Sequence, residues 1–218
     1  MFLRFPEPGT VKTRLAAALG ADRAARFYWE CALLVMAKAL RLRDCDVYVF
    51  VMPAERQAEV EALVMARFGK FEGRFIAQRG TGLGERVHHA LERLCTIGYA
   101  RQLVLGTDSP TLPPEYIQRA VDDLASHDSV VGPTWNGGTW CVGTRAPDVR
   151  FLRDVDWRSG TALARLVENA SGLGWSCPLL PRWQDVDAPD DLPFLEGQVR
   201  HADYRRLKSI LGEAPPQA

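Results

Sequence analysis

Three short segments carry residue types that bind phosphate and divalent metal. The first is Pro6-Glu7-Pro8-Gly9-Thr10-Val11-Lys12-Thr13-Arg14-Leu15. Gly9 permits close backbone approach, and a helix beginning near Thr10 would offer unpaired N–H groups and a positive dipole end. Lys12 and Arg14 add cationic donors for phosphate oxygens, so the segment is suited to a di- or triphosphate. The spacing GxxxxGK[ST] is absent, which excludes the P-loop fold. Without a ligand, the same residues form a plain turn before a surface helix. The second segment is Gln78-Arg79-Gly80-Thr81-Gly82-Leu83-Gly84-Glu85-Arg86. Its alternating glycines describe either a backbone-lined pocket or a ligand-free turn, and Glu85 stands where a GxGxxG fingerprint requires glycine. His88 and His89 follow, but adjacent residues do not share a helix face, which argues against a paired metal site.

The third segment, Val104-Leu105-Gly106-Thr107-Asp108-Ser109-Pro110, places a carboxylate just beyond an apolar run and before a proline turn. Mg²⁺ is held by one or two carboxylates plus substrate phosphate oxygens, and Asp108 is placed for that role; the alternative is a simple helix cap. In Asp185-Val186-Asp187, alternate positions of an extended segment point both carboxylates one way. Asp190 and Asp191 are better read as caps of the next helix.

These segments need a scaffold that brings them to one edge, and the rest of the chain describes one. Apolar runs at 47–51, 74–78, 102–106 and 129–132 alternate with helical stretches at 22–42, 54–68, 84–94 and 114–126. That alternation predicts right-handed crossovers and an α/β fold, a doubly wound, mostly parallel sheet with helices on both faces. Such sheets bind ligands at the carboxyl ends of their strands, where all three segments fall. Asp22 is the expected N-cap of the first long helix. Gly137-Gly138, between Trp135 and Trp140, predicts a tight loop leading to a strand at 139–144. A helix over 159–170, a strand over 175–180 and a helix over 204–211 complete the reading. Neither an internal repeat nor a linker is visible, so one domain over 1–212 with a disordered tail at 213–218 is expected. Only Met1–Phe5 precede the first turn, so the first strand is expected to be truncated, or the start codon to be placed too late.

Composition narrows the function classes. The 218 residues carry 27 Lys+Arg and 27 Asp+Glu, a formal net charge of zero, which removes the bulk attraction used by non-specific nucleic-acid binders. No apolar run approaches the roughly 20 residues of a membrane span, and no signal peptide is visible. The five cysteines, Cys31, Cys45, Cys95, Cys141 and Cys177, are scattered among apolar neighbours without a CxxC pair; they read as small buried hydrophobes in a reducing, cytoplasmic compartment. Lysine is scarce, with only Lys12, Lys38, Lys70 and Lys208, which draws attention to Lys12 in its tight loop.

Taken together the motifs resemble a family of bacterial GT-A-type glycosyltransferases marked by PxPGxVKTRL, a GLGER-like loop, GTDxP, GPxxDGGYxLxG and DVDTxxDL, some members of which are described as arsenosugar-biosynthesis enzymes. Here they read Arg4-Phe5-Pro6-Glu7-Pro8-Gly9-Thr10-Val11-Lys12-Thr13-Arg14-Leu15, Gly82–Arg86, Gly106–Pro110, Gly132–Gly143 and Asp185–Leu192, in order. The resemblance implies a nucleotide-diphospho-sugar transferase fold with bound Mg²⁺ or Mn²⁺. It further implies nucleotide contacts from Pro8, Gly9, Lys12, Thr13, Arg14, Gln78, Gly82, Gly84 and Arg86. Lys12, Arg14 and Asp108 would be catalytic, with Asp108 and Asp187 as metal ligands. Asn136, Gly137, Gly138 and Trp157 would border the sugar and acceptor. Three departures stand out: Asn136 replaces Asp, Thr139 replaces Tyr, and Arg4 replaces Lys. The resemblance implies metal-dependent glycosyl transfer from a nucleotide-diphospho-sugar donor to a small-molecule acceptor. Nucleotidyl transfer from an NTP to a phosphorylated small molecule is the alternative, and a non-catalytic nucleotide-binding homologue the third. Asp154 and Asp156 are the candidates for a general base.

Overall fold

Successive residues of one strand pack into different clusters, which shows how the sheet is buried. In β2 (Tyr48–Met52), Val49 and Val51 pack with Leu3 on one side, while Tyr48 and Phe50 pack with Leu91 and Val142 on the other. A strand with no polar face must be covered on both sides. The structure, a computed structural model, describes residues 1–198 and 204–212; the tail expected at 213–218 lies outside the described residues.

β1 (Phe2–Arg4) and β3 (Arg74–Ala77) flank β2 in parallel. A second group orders β4 (Gln102–Leu105), β6 (Thr139–Thr144) and β5 (Ser129–Pro133), with β6 antiparallel to both neighbours. Helices α2 (Ala21–Ala39), α3 (Gln57–Phe68) and α5 (Pro114–Asp123) contribute to one cluster, and α4 (Leu83–Ile97) and α6 (Ala162–Gly172) to the other. This is the α/β fold with helices on both faces expected from the sequence, but the strands form two three-stranded sheets, one parallel and one antiparallel through β6, rather than one mostly parallel sheet. β1 is as short as expected. It is not paired with β4, and a cavity of about 600 Å³ lies among Met1, Tyr48 and Leu103.

A third cluster has a direct bearing on the chemistry. α1 (Thr13–Leu19), the outer side of α2, α7 (Leu192–Gln198) and α8 (Arg205–Gly212) enclose Leu15, Phe27, Cys31, Leu195 and Leu207, and Val186 inserts among them fully buried. Val186 donates its N–H to the Asp108 carbonyl oxygen at 2.9 Å. The segment bearing Asp185 and Asp187 is thus pinned by an apolar anchor on one side and a backbone bond to the β4 loop on the other.

Several local expectations are corrected. The first helix starts at Thr13, not near Thr10, because Lys12 adopts a left-handed backbone with φ 47° and ψ 43°. Gly20 caps α2, so Asp22 sits in its first turn. Residues 175–180 run beside β5, with Ser129 and Val131 donating to the carbonyls of Ser176 and Pro178, but make only an isolated bridge, Val131 with Leu179. Pro178 and Pro181 supply no N–H and break the ladder. Cys45 and Cys95 are exposed and Cys177 half-buried, so only Cys31 and Cys141 are the buried hydrophobes expected. Among the described residues, no helix is long and apolar enough to cross a membrane.

Leu195 is fully buried beneath the 185–187 segment. Leu195→Ala is expected to lower unfolding free energy by about 2–5 kcal/mol in denaturant titrations. A loss below ~1 kcal/mol would show that the third cluster does not carry this segment.

Candidate functional site

A cleft of about 940 Å³ opens where β1 and β4 end, the position at which such sheets receive ligands. At its base the Lys12 ammonium donates to Asp108 and, at 2.6 Å, to Asp187, while the Arg14 guanidinium reaches Asp187 at 3.2 Å. The Lys12 side chain is 3% exposed, whereas Asp108 and Asp187 are 45% and 28% exposed. The cation lies at the bottom and the carboxylates open toward solvent. Burial alone would strip the Lys12 proton, but the two carboxylates outweigh it and raise its pKa. Burial acts against the Asp187 charge as well, and Lys12 and Arg14 together hold its pKa down.

The loop before α1 delivers this ammonium. The Arg4 guanidinium donates to the Thr10 carbonyl at 3.0 Å, closing the turn, and the αL residue Lys12 then aims its side chain inward. The conformation costs energy for a residue with a Cβ, and the two carboxylates over-determine it. Tyr28, on α2, accepts the Arg4 backbone N–H at 2.8 Å and lines the cleft. Its hydroxyl pKa is pushed up to about 12 by burial and then by Asp108.

Asp185 faces the same edge as Asp187. Asn136 donates its amide N–H to both Asp185 oxygens, at 3.2 and 2.9 Å, and its own carbonyl oxygen accepts from Thr134 and Gly138. Burial, and then the Asp187 charge, raise the Asp185 pKa to about 6. An Asp at position 136 would set a second carboxylate against Asp185, where Asn136 offers an amide donor. Gly137, at φ 82°, packs so closely on the Gly160 carbonyl that a side chain would collide with that backbone.

The opposite wall is Gly82 with the first turn of α4, and the 155–158 segment. Trp157 Nε1 packs against Gly84; a Cβ there would lie 3.0 Å away, so glycine allows this approach. Of the residues expected at the site, Lys12, Thr13, Arg14, Gln78, Gly82, Gly84, Arg86, Asp108, Trp157 and Asp187 line the cleft. Pro8, Gly9, Asn136, Gly137 and Gly138 do not, nor does Asp185, the partner of Asn136. Gln78 spends its amide on the Phe50 carbonyl at 2.8 Å and positions strands. Asp156 lines the wall, and its carboxylate accepts the Arg158 N–H, which lowers its pKa and makes it a weak base. Asp154 is 74% exposed and pairs with Arg153.

Residues 35–159 match the model of a family described as uncharacterized protein conserved in bacteria (DUF2064). The chain belongs to that family. A proposed nucleotide-diphospho-sugar transferase from Desulfovibrio desulfuricans G20 is similar over 96% of this chain and 91% of its own, at 31% identity and a TM-score of 0.84. CMP:2-keto-3-deoxy-manno-octonic acid synthetase, solved with CTP, superposes with a TM-score of 0.55 at 10% identity over 90% of this chain and 95% of its own. A 4-diphosphocytidyl-2C-methyl-D-erythritol synthase from Anaerococcus prevotii gives 0.57 at 7% identity over 78% and 86%. A comparison with curated proteins gives no match. The fold of this DUF2064 chain is therefore that of the nucleotide-diphospho-sugar transferases.

Among the described residues, no group of three or more His, Cys, Asp or Glu forms a closed metal cage. Asp108 and Asp187 nevertheless bring hard carboxylate oxygens from two separate segments to one point, the Lys12 ammonium. That donor set suits a dication sharing its remaining positions with substrate oxygens. Tyr28, Arg158 and Asp185 are the site residues that motif reading passed over or left unassigned. Asp185 had a usable signal in its alternation with Asp187, whereas Tyr28 sits in an otherwise apolar helical run.

With divalent cations chelated, folded Asp185 holds a proton at pH values where the unfolded carboxyl, near 3.8, has released it. Its contribution to stability therefore falls as pH rises from 3.8 to about 6 and stays reduced above. Asp185→Asn should raise Tm at pH 7.5 by about 3 °C and leave Tm at pH 3.5 nearly unchanged, measured by thermal melts in EDTA. A lower Tm at pH 7.5 would contradict the assignment.

Proposed function

We propose that the chain is a metal-dependent glycosyltransferase that uses a nucleotide-diphospho-sugar donor and a small-molecule acceptor. The carrying observation is the convergence of Lys12, Asp108 and Asp187 at the base of a cleft that ends at the strand tips. The similarity to the Desulfovibrio desulfuricans protein supports the donor class. In this reading Asp108 and Asp187 hold Mg²⁺ or Mn²⁺, which when bound supplies positive charge for a departing diphosphate.

The chain's own residues do the rest. Lys12 is already charged and desolvated, so exchanging a carboxylate for a phosphate oxygen keeps its charge paired throughout. Arg14, 66% exposed, reaches over the rim and offers a fork to the outer phosphate. Thr13 and Gly82 line the space this reading gives to the nucleotide, and Asn136 orients Asp185 beside Asp187.

Calorimetry with UDP- and GDP-sugars, and with GTP and CTP, in Mn²⁺ or EDTA tests the assignment. A sugar nucleotide should bind at least about tenfold more weakly in EDTA or after Asp108→Asn, and should be slowly hydrolysed to the nucleoside diphosphate. Affinity indifferent to both changes would refute it. Pyrophosphate release from a nucleoside triphosphate and a phosphorylated acceptor would assign nucleotidyl transfer instead.

A further inference from the structure

The cleft has a second charged pole beside Lys12 and Arg14, and one of its members, Arg86, is a residue that the resemblance gave to the nucleotide. Arg4, Arg86 and Arg158 all line it, and among the described residues no carboxylate pairs with any of the three side chains. Arg86 Nε is shielded from solvent with no hydrogen-bond partner, and so is Trp157 Nε1 beside it. The remaining bonds of Arg86 are long, 3.5 Å to the Gly80 carbonyl and 3.3 Å to that of Thr81. Burial lowers the Arg86 pKa, and then Arg4 and Arg158, so the guanidiniums repel one another.

Glu85 and Asp156 line the same wall, and the Glu85 charge partly offsets the repulsion at Arg86, but neither carboxylate is ion-paired with a guanidinium of the three. Glu85 accepts the Thr81 N–H at 2.7 Å and hydroxyl at 2.8 Å, and the Asp156 carboxylate accepts the Arg158 backbone N–H at 2.9 Å. The contact of Trp157 on Gly84 docks the Arg158 segment onto the first turn of α4, which carries Arg86. A cluster of forked cations with no ion-paired carboxylate, and with a solvent-shielded Arg86 Nε that has no hydrogen-bond partner, fits a multivalent anion.

We propose that Arg86 and Arg158, assisted by Arg4, seat a phosphate group of the second substrate, so that the acceptor is a phosphorylated small molecule. This rests on the reading of the cleft as a nucleotide-dependent transferase site, with the donor diphosphate at Lys12 and Arg14. Three cations favour a phosphate dianion over a single carboxylate.

The test uses the full chain with Arg86→Gln and Arg158→Gln as single variants, and inorganic phosphate and malonate as probes in EDTA, followed by calorimetry. UDP with Mg²⁺ is titrated in parallel. Phosphate should bind the wild type more tightly than malonate. Each variant should weaken phosphate roughly tenfold, and Arg158→Gln should leave UDP affinity within about threefold. Phosphate affinity unchanged in both variants, or tighter binding of malonate, would overturn the proposal. In Arg158→Gln, a loss of UDP affinity equal to that of phosphate would also overturn it, by assigning the arginine to the donor. Should Arg86→Gln unfold early, the exposed Arg158→Gln decides alone. Failure of UDP to bind the wild type counts against the donor assignment, whereas the phosphate titrations still judge the arginines.

Discussion

A buried ammonium held between two carboxylates is the interaction on which the site depends. Lys12 is almost fully removed from water, and a charge so placed is tolerable only with close partners. Asp108 and Asp187 supply them from segments 79 residues apart in sequence. Each structural oddity nearby serves this meeting. The left-handed backbone at Lys12 ends the loop early and turns the side chain inward. The Val186 N–H ties the 185–187 segment to the Asp108 carbonyl. Arg14 closes the outer side of Asp187.

This arrangement accounts for the third hydrophobic cluster. A doubly wound sheet covered on both faces is complete without α1, α7 and α8, yet these helices bury Leu15, Leu195 and Leu207 around Val186. Their burial anchors the acidic segment at Val186, so that period-two geometry turns Asp185 and Asp187 to the opposite side, with Asp187 lining the cleft. The apolar energy of this layer thus holds two like charges where they would otherwise separate. Asn136 completes the arrangement by offering Asp185 an amide donor.

Much of this was legible in the sequence because strand ends punctuate it clearly. Asp108 follows Val104-Leu105, and the glycine-containing 78–82 turn that leads into α4 follows β3, so both segments fall at strand tips. The helices on both faces followed from alternation alone. What pattern could not show was direction and local override. The segment 175–180 has strand-like residues, but Pro178 and Pro181 withhold the donors a ladder needs. The exposure of Cys45 and Cys95 depends on their surroundings in the folded chain, despite apolar neighbours in sequence. The role of Tyr28 arises only once α2 packs beneath β1, and the pairing of Asn136 with Asp185 spans 49 residues that no local spacing connects.

Under the proposed function, Asp108, Asp187 and Lys12 form an exchangeable ion cluster, in which bound nucleotide and dication would replace the internal pairing. A crystal structure of the protein with Mn²⁺ and UDP, phased to reveal anomalous scatterers, tests it most directly. The account predicts an anomalous peak ligated by Asp108 and Asp187, with the Lys12 ammonium moved onto a phosphate oxygen. Manganese and diphosphate bound elsewhere, with Lys12 still lodged between the two carboxylates, would contradict it.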